Sequence, residues 1–146
     1  MRIAYVDSSV VVRYYLVADH GHAEAVALID DAETAVITST LTLIEASGAL
    51  ERAARAVGVD PAGVLARLDT DLSDGPITLI GADVGQVERL ALDIVRSKGI
   101  RALDALHIAV AVLVLPERTT GVDKAVFCTR DEQQARAAEA HGLQLL

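Results

Sequence analysis

The sequence is poor in several residue types, and each shortage excludes a class of protein. Aromatic residues make up 3% of the chain and tryptophan is absent, which argues against the base-stacking platforms of RNA-recognition modules. A single cysteine, Cys128, excludes a framework of intramolecular disulfide bonds, and its apolar neighbours predict a small core residue. The formal net charge is −8 with no basic tail, so bulk positive charge cannot be the basis of nucleic-acid binding.

Long hydrophobic runs and targeting signals are also missing. The longest apolar stretch, residues 105–115, is too short to span a bilayer, and the opening lacks the apolar segment of a signal peptide. We therefore expect a cytoplasmic protein that has no contact with a membrane. At 146 residues, of which 52% are hydrophobic, the chain fits a single domain over residues 1–146 that buries most of its apolar surface.

Short apolar runs alternate with helical patterns along the whole chain. The predicted strands cover residues 3–6, 35–38, 77–80, 125–128 and 143–146. The predicted helices cover residues 10–17, 23–32, 41–56, 61–73, 83–98, 102–115 and 131–141, and a polar loop is expected over residues 116–124. Because the strands are apolar and lack polar alternation, they are typical of a parallel sheet covered on both faces, and hence of an α/β fold.

Four acidic residues stand where a carboxylate is unexpected. Asp7 directly follows the first predicted strand and Asp131 follows the fourth, so a parallel sheet would bring both to the same edge. Asp104 begins the most apolar helix of the chain. Glu45 lies on a helix face of small and apolar residues, where burial of an unpaired carboxylate is costly and demands a partner.

Each of these acids also has an ordinary structural explanation. Asp7, or a serine after it, could cap the next helix, and Asp104 and Asp131 could be first-turn acids that the helix dipole favours. Glu45 could pair with a buried arginine. Taken together, however, the four positions predict a cluster, and clustered carboxylates ionise only around a cation. All-oxygen ligands suit Mg²⁺ or Mn²⁺, which activate water and neutralise phosphate charge, so the pattern predicts phosphodiester hydrolysis.

Four segments carry a family resemblance that runs from one end of the chain to the other. They read VDSSVVV around Asp7, LTLIEASGAL around Glu45, RALDALHIAVA around Asp104 and CTRDEQQARAAEAHGL around Asp131. In order and spacing they resemble the PIN-domain ribonucleases, in particular the VapC-type toxins of VapBC toxin–antitoxin modules. The stretch RALDALHIA is the most specific part of this resemblance.

The resemblance implies a three-layer α/β/α sandwich with a parallel sheet of four or five strands. It also implies two groups of site residues. The acids of the quartet that binds Mg²⁺ or Mn²⁺ correspond to Asp7, Glu45, Asp104 and Asp131. The hydroxyl groups that would support these acids by hydrogen bonds are those of Ser8 or Ser9 and of Thr129.

The activity implied by the resemblance is that of an endoribonuclease toxin, which cuts RNA to stop translation. Asp7, Asp104 and Asp131 would hold the metal, and Glu45 would act as a further ligand or as the partner of the attacking water. In-line attack by the activated water would leave a 5′-phosphate and a 3′-hydroxyl. The resemblance also implies a homodimer and a VapB-type antitoxin whose C-terminal segment occupies the groove beside the acids.

The negative charge of the chain requires a local basic patch to bring phosphate to the acids. Arg13, Arg101 and Arg130 are the candidates, because arginine forms favourable bidentate contacts with phosphate. His107, three residues after Asp104, could support a metal site, although a packed helix histidine is the simpler expectation.

Two other functions fit part of the pattern. A phosphatase of the haloacid type would use Asp7 as nucleophile, but it needs a second acid two residues later, where Ser9 stands. A binding module of the same fold would use its acids for a structural ion, or not at all, and would act only through a protein partner.

Overall fold

Four short apolar segments form a parallel β-sheet in the computed structural model, which describes residues 1–119 and 124–146. The strands are β1 (Arg2–Val6), β2 (Thr34–Ser39), β3 (Ile77–Ile80) and β4 (Lys124–Cys128). Their order across the sheet is β3-β2-β1-β4, and all three pairings are parallel. The first strand of the chain therefore lies between two others, so both of its backbone edges are paired.

Helices connect the strands and cover both faces of the sheet. Within the described ranges they are α1 (Ser8–Tyr15), α2 (His22–Ile29), α3 (Thr40–Ala56), α4 (Ala62–Ser73), α5 (Val84–Lys98), α6 (Ala102–Arg118) and α7 (Glu132–Ala140). The predicted helices are all present, with ends that shift by a residue or a few. In this part of the chain no helix combines the length and the hydropathy that a bilayer crossing needs.

Alternate residues of β1 belong to two separate hydrophobic cores. Ile3 and Tyr5 pack in a core with α5, α6 and α7, whereas Ala4 and Val6 pack in a core with α1, α2, α3 and α4. Successive side chains of a strand point to opposite faces of the sheet, so the two cores lie on its two sides. The predicted three-layer α/β/α arrangement with a parallel sheet is thus confirmed.

The structure corrects the prediction of a polar loop over residues 116–124. Helix α6 continues for one exposed half-turn past Pro116, directly after Val114 and Leu115, which are buried in the core. Thr119 closes the helix by donating its N–H and its hydroxyl to the Leu115 carbonyl, at 3.2 and 3.1 Å. Residues 120–123 of the expected loop lie outside the described residues, and β4 begins directly after them.

The last predicted strand, residues 143–146, is reduced to a single β-bridge between Leu145 and Phe127 of β4. The Phe127 N–H donates to the Gln144 carbonyl at 2.7 Å, and the Leu146 N–H donates to the Phe127 carbonyl at 3.3 Å. The described part of the sheet therefore has four strands, the lower number of the predicted range.

Cys128, at the end of β4, is a buried free thiol, as its apolar neighbours predict. Burial, reinforced by the charge of Asp7, raises the pKa of this thiol to about 12. The side chain is therefore a core residue that stays protonated at neutral pH.

Candidate active site

Two of the four predicted acids follow neighbouring strands and cap the helices that come next. Asp7 follows β1 and caps α1, with Oδ1 accepting the Val10 N–H at 3.2 Å. Asp131 follows β4 and caps α7, with Oδ1 accepting the N–H groups of Gln133 and Gln134 at 2.9 Å. Because β1 and β4 are paired in parallel, both acids lie at one edge of the sheet. Each cap uses Oδ1 and leaves Oδ2 for other partners.

One pocket of about 510 Å³ is lined by all four predicted acids. Glu45 reaches it from α3 and Asp104 from the first turn of α6, while the other two come from the strand ends. The remaining polar residues of its wall are Ser8, Ser9, Arg13, Arg101 and Arg130. The three arginines are the candidates for a basic patch, so acidic and basic side chains share this surface.

Asp7 is the acid that the fold buries, with 4% of its surface exposed. Ser9 Oγ donates to its Oδ1 at 2.6 Å, and Thr129 Oγ1 lies 2.7 Å from its Oδ2. Burial raises the pKa of Asp7, because desolvation penalises the charged carboxylate more than the surrounding hydrogen bonds favour it. The haloacid-type alternative needs an acid at the position of Ser9, and here that side chain serves Asp7 instead.

The hydroxyl of Thr129 lies within hydrogen-bond distance of two acceptors but can donate to only one of them. It lies 2.7 Å from Asp7 Oδ2 and 2.5 Å from Gln134 Oε1, and it accepts the Asp131 N–H at 3.1 Å. A hydroxyl carries one hydrogen, so it can donate to Asp7 or to Gln134 but not to both. When Asp7 is protonated the conflict disappears, because Asp7 can then donate to Thr129 and Thr129 to Gln134.

Asp104 and Asp131 share the guanidinium of Arg101. Nε donates to Asp104 Oδ2 at 2.8 Å, and Nη2 lies 3.2 Å from Asp131 Oδ2. The Arg101 side chain is 76% exposed, so solvent screens both ion pairs and their contribution to stability is small. Arg101 thus places a positive charge between two of the four acids of the pocket.

Glu45 has a histidine as partner, rather than the arginine that its apolar surroundings suggest. His107 Nε2 lies 2.6 Å from Glu45 Oε1, and its Nδ1 lies 2.9 Å from the hydroxyl oxygen of Tyr5. The Tyr5 hydroxyl donates its hydrogen to Ser39 Oγ at 3.1 Å. Burial raises the pKa of Glu45, but the hydrogen bond and charge of His107, with Ser8 and Arg101, outweigh burial and leave this pKa below its ordinary value. His107 is 1% exposed, so it fixes the orientation of Glu45 from inside the core.

The other two arginines of the pocket are paired with acids outside the predicted quartet. Arg130 forms an ion pair with Glu24, and Arg13 Nε lies 3.3 Å from Asp19. Gly21 leaves room for Arg13, because a Cβ at this position would lie 2.8 Å from the arginine Cδ. Both guanidinium groups therefore stand at the pocket without neutralising its acids.

Among the described residues, no group of three or more His, Cys, Asp or Glu side chains is arranged to hold a metal ion. The chemistry of the donor set nevertheless fits a hard divalent cation, because Asp7, Asp104 and Asp131 offer carboxylate oxygens to one pocket. Two of these acids already hold a positive group, Arg101. A metal ion held by the same oxygens would have to take the place of this guanidinium.

Sequence reasoning missed two buried polar residues that organise the site. The amide of Gln134 joins Thr129 to the Asp104 carbonyl, which accepts from Nε2 at 3.2 Å. Tyr5 reaches His107 from β1. The sequence does not show which of the adjacent residues Gln133 and Gln134 is buried. The rotation of α7 about its axis turns Gln134 toward the core. A tyrosine in a central strand offers a better signal, because its buried hydroxyl must find a partner.

We expect Asp7→Asn to raise the free energy of unfolding at neutral pH in metal-free buffer. The native protein holds the Asp7 proton more tightly than the unfolded chain, so wild-type stability falls as pH rises from about 4 through the raised pKa. Asparagine keeps the helix cap and can donate to Thr129. Denaturant unfolding over a pH series should show the gain above this window and none below it.

Asp104→Asn is the matched control for that experiment. The crowding of four carboxylates alone predicts that this variant is also stabilised, but its carboxylate is paired with Arg101, so neutralising it removes an ion pair. We expect no gain in stability. Equal stability of Asp7→Asn and wild type at pH 7 would contradict an unfavourable buried charge at Asp7.

We expect His107→Leu to raise the pKa of Glu45 and to lower the free energy of unfolding by about 1–3 kcal/mol, since it removes the partner of a half-buried carboxylate. Because the native pKa of Glu45 is depressed, this contribution is present above its ordinary pKa and is lost as pH falls through the native value. His107→Gln retains an N–H donor and should preserve part of both effects. NMR titration of the Glu45 carboxyl carbon measures the change, and an unaltered pKa in the leucine variant would refute it.

Comparison with known proteins agrees with the fold. The model of the PIN domain family matches residues 4–140, a range that contains all four acids of the pocket. A comparison with curated proteins finds no match. PIN domains are in general metal-dependent nucleases. Since the match extends over most of the sequence, this chain belongs to the PIN domain family.

Proposed function

We propose that this protein is a divalent-metal-dependent endoribonuclease that acts as the toxin of a type II toxin–antitoxin system. The observation that carries the nuclease proposal is the convergence of Asp7, Glu45, Asp104 and Asp131 on one pocket in a PIN-domain chain. The choice of RNA and of a toxin role is supported by the likeness of four sequence segments to VapC-type toxins. A VapB-type antitoxin and a second copy of the chain are the partners that this likeness favours.

Asp7, Asp104 and Asp131 are the residues that would hold Mg²⁺ or Mn²⁺. Such an ion lowers the pKa of an attacking water and neutralises negative charge on phosphate. The oxygens of Asp104 and Asp131 that now face Arg101 are the ones available for this purpose. The hydroxyls of Ser9 and Thr129 keep the Asp7 carboxylate in a fixed orientation within the pocket.

The remaining side chains of the pocket divide the work of positioning. Glu45, held through Oε1 by His107, can accept a proton from water with its other carboxylate oxygen. Arg13 and Arg130 stand at the wall of the pocket and can draw a phosphate toward the acids against the net charge of the chain. Arg101, once separated from the acids, becomes a third group able to bind phosphate.

We expect the partner-free protein to cleave end-labelled total RNA into discrete fragments with Mg²⁺ or Mn²⁺ and not with EDTA. Asp7→Asn should lower the cleavage rate by at least about a hundredfold, because it removes a charged ligand without loss of stability. Asp83→Asn is the control: it keeps an exposed helix cap, accepting the Gln86 N–H, and removes one charge outside the pocket.

The alternative function is a PIN-fold binding module that does not cleave and that acts through a protein partner. One observation supports this alternative: among the described residues every buried polar side-chain atom already has a hydrogen-bond partner, so the site does not need a metal ion to complete its contacts. Metal-dependent cleavage that Asp7→Asn abolishes would exclude this alternative. Intact RNA in every lane, from folded protein that binds a VapB-type peptide, would favour it over the nuclease.

Replacement of Arg101 tests whether the guanidinium and the metal use the same oxygens. We expect Arg101→Ala to bind Mn²⁺ up to about fivefold more tightly than wild type, because the metal no longer displaces an exposed ion pair. Arg130→Ala removes the same charge from the same pocket but from a group paired with Glu24, so its Mn²⁺ affinity should change less. Isothermal titration calorimetry measures both, and weaker Mn²⁺ binding by Arg101→Ala would show that Arg101 organises the acids instead of competing for them.

A further inference from the structure

A second pocket, of about 530 Å³, continues the acidic pocket along the surface. The residues that line both pockets are Ser8, Ser9, Arg13, Glu45 and Leu103. Because these residues form a shared wall, the two pockets are parts of one groove. We call the part beyond Glu45 the α3 groove; its remaining residues are Val12, Asp19, Ile44, Gly48, Ala49 and Arg52.

One face of α3 forms a wall of the α3 groove. Glu45, Gly48, Ala49 and Arg52 lie at the three- and four-residue spacings that bring helix residues onto one face. Gly48 has no side chain and Ala49 a small one, which leaves room beside the helix backbone for the Arg52 guanidinium. With a rise of about 1.5 Å per residue, Arg52 stands roughly 10 Å along the helix from Glu45.

The guanidinium of Arg52 lies beside Gly48, in the groove. A Cβ added at Gly48 would stand 3.1 Å from Arg52 Nη1. Arg52 contrasts with Arg55 on the next turn, whose Nε and Nη2 both donate to Glu51, at 3.0 and 2.8 Å. In the part of the chain that the structure describes, Arg52 makes no such ion pair.

Arg52 is the charged residue of the α3 groove for which the described residues supply no partner of opposite charge. The carboxylate of Asp19 faces Arg13, and that of Glu45 faces His107. Arg52 has neither as a partner, and it stands on a chain of net charge −8. A negatively charged ligand that extends from the acidic pocket would therefore meet Arg13 first and Arg52 next.

The apolar wall of the α3 groove has the wrong chemistry for base stacking. It consists of Val12, Ile44 and Leu103, of which Ile44 is 70% exposed, and it contains no aromatic side chain. Stacking platforms for single-stranded nucleic acid use aromatic rings. The groove is instead suited to phosphate on the arginine side and to sugar on the aliphatic side, which positions a strand without reading its bases.

We propose that a single strand of RNA leaves the acidic pocket along the α3 groove, with successive phosphates bound by Arg13 and Arg52. The identity of the strand rests on the proposed nuclease function, whereas the path rests on the continuity of the groove and on the unpaired charge of Arg52. The acidic pocket then binds the phosphate that reacts, and the α3 groove binds the neighbouring segment of the RNA irrespective of its base sequence.

The test measures binding without cleavage, by fluorescence anisotropy of a labelled single-stranded oligoribonucleotide in EDTA over a series of salt concentrations. We expect Arg52→Ala to weaken binding about two- to fivefold and to reduce the slope of log K against log salt by about 0.7, as the loss of one phosphate contact requires. Arg52→Lys should restore most of the slope. Arg55→Ala, one turn away on the same helix, should leave affinity and slope as in wild type.

Outcomes for the groove and for the nuclease are separable. If Arg52→Ala and Arg55→Ala give the same slope as wild type, the proposed path is overturned, even for a chain that cleaves RNA. Equal losses in both variants would indicate bulk charge and would also overturn it. If Arg52→Ala alone lowers the slope while no metal supports cleavage, the path stands and the nuclease proposal fails. An Arg52→Ala defect confined to binding of a peptide partner would contradict an RNA path.

Discussion

Asp7 ends a strand that has neighbours on both sides and helices above and below, so its carboxylate has little access to water. Donors from two parts of the chain offset part of the cost of that burial: Ser9 and the Val10 N–H from α1, and Thr129 from the segment after β4. These contacts tie the ends of the two strands together. The positions of Arg130 and Asp131 depend on this connection, because Ser9 accepts the Arg130 N–H and Thr129 accepts the Asp131 N–H.

The other acids of the pocket are accommodated by different means. Arg101 holds Asp104 and Asp131 from the solvent side, and His107 holds Glu45 from the core side. Three of the four acids of the pocket are therefore paired with basic side chains of the chain itself. The proposed metal ion would share two of its carboxylates with Arg101, whereas the partner of Glu45 is a histidine buried in the core.

Short-range signals explain which parts of this structure could be predicted from sequence. Apolar runs and helix caps predicted the parallel sheet and the meeting of Asp7 with Asp131, because each signal lies within a few residues. The need of Glu45 for a partner was also predictable, but His107 is 62 residues away in the sequence and no local pattern joins them. Similarly, the contact of Arg101 with Asp131 arises only from the packing of α6 beside α7. Helix α6 passes Pro116 although proline is a local signal for a helix end, and the residues after it are exposed, so no apolar pattern marks this last part of the helix.

The short bridge that follows α7 protects an exposed side of the sheet. β4 is an edge strand, and Gln144 and Leu146 occupy the N–H and the carbonyl of Phe127 that would otherwise face outward. Open backbone groups on an edge strand are a template for pairing with another chain, which leads to aggregation. A segment too short to be a fifth strand thus occupies the backbone groups at the middle of β4 that an added strand would need, and it makes this edge a poorer template for another chain.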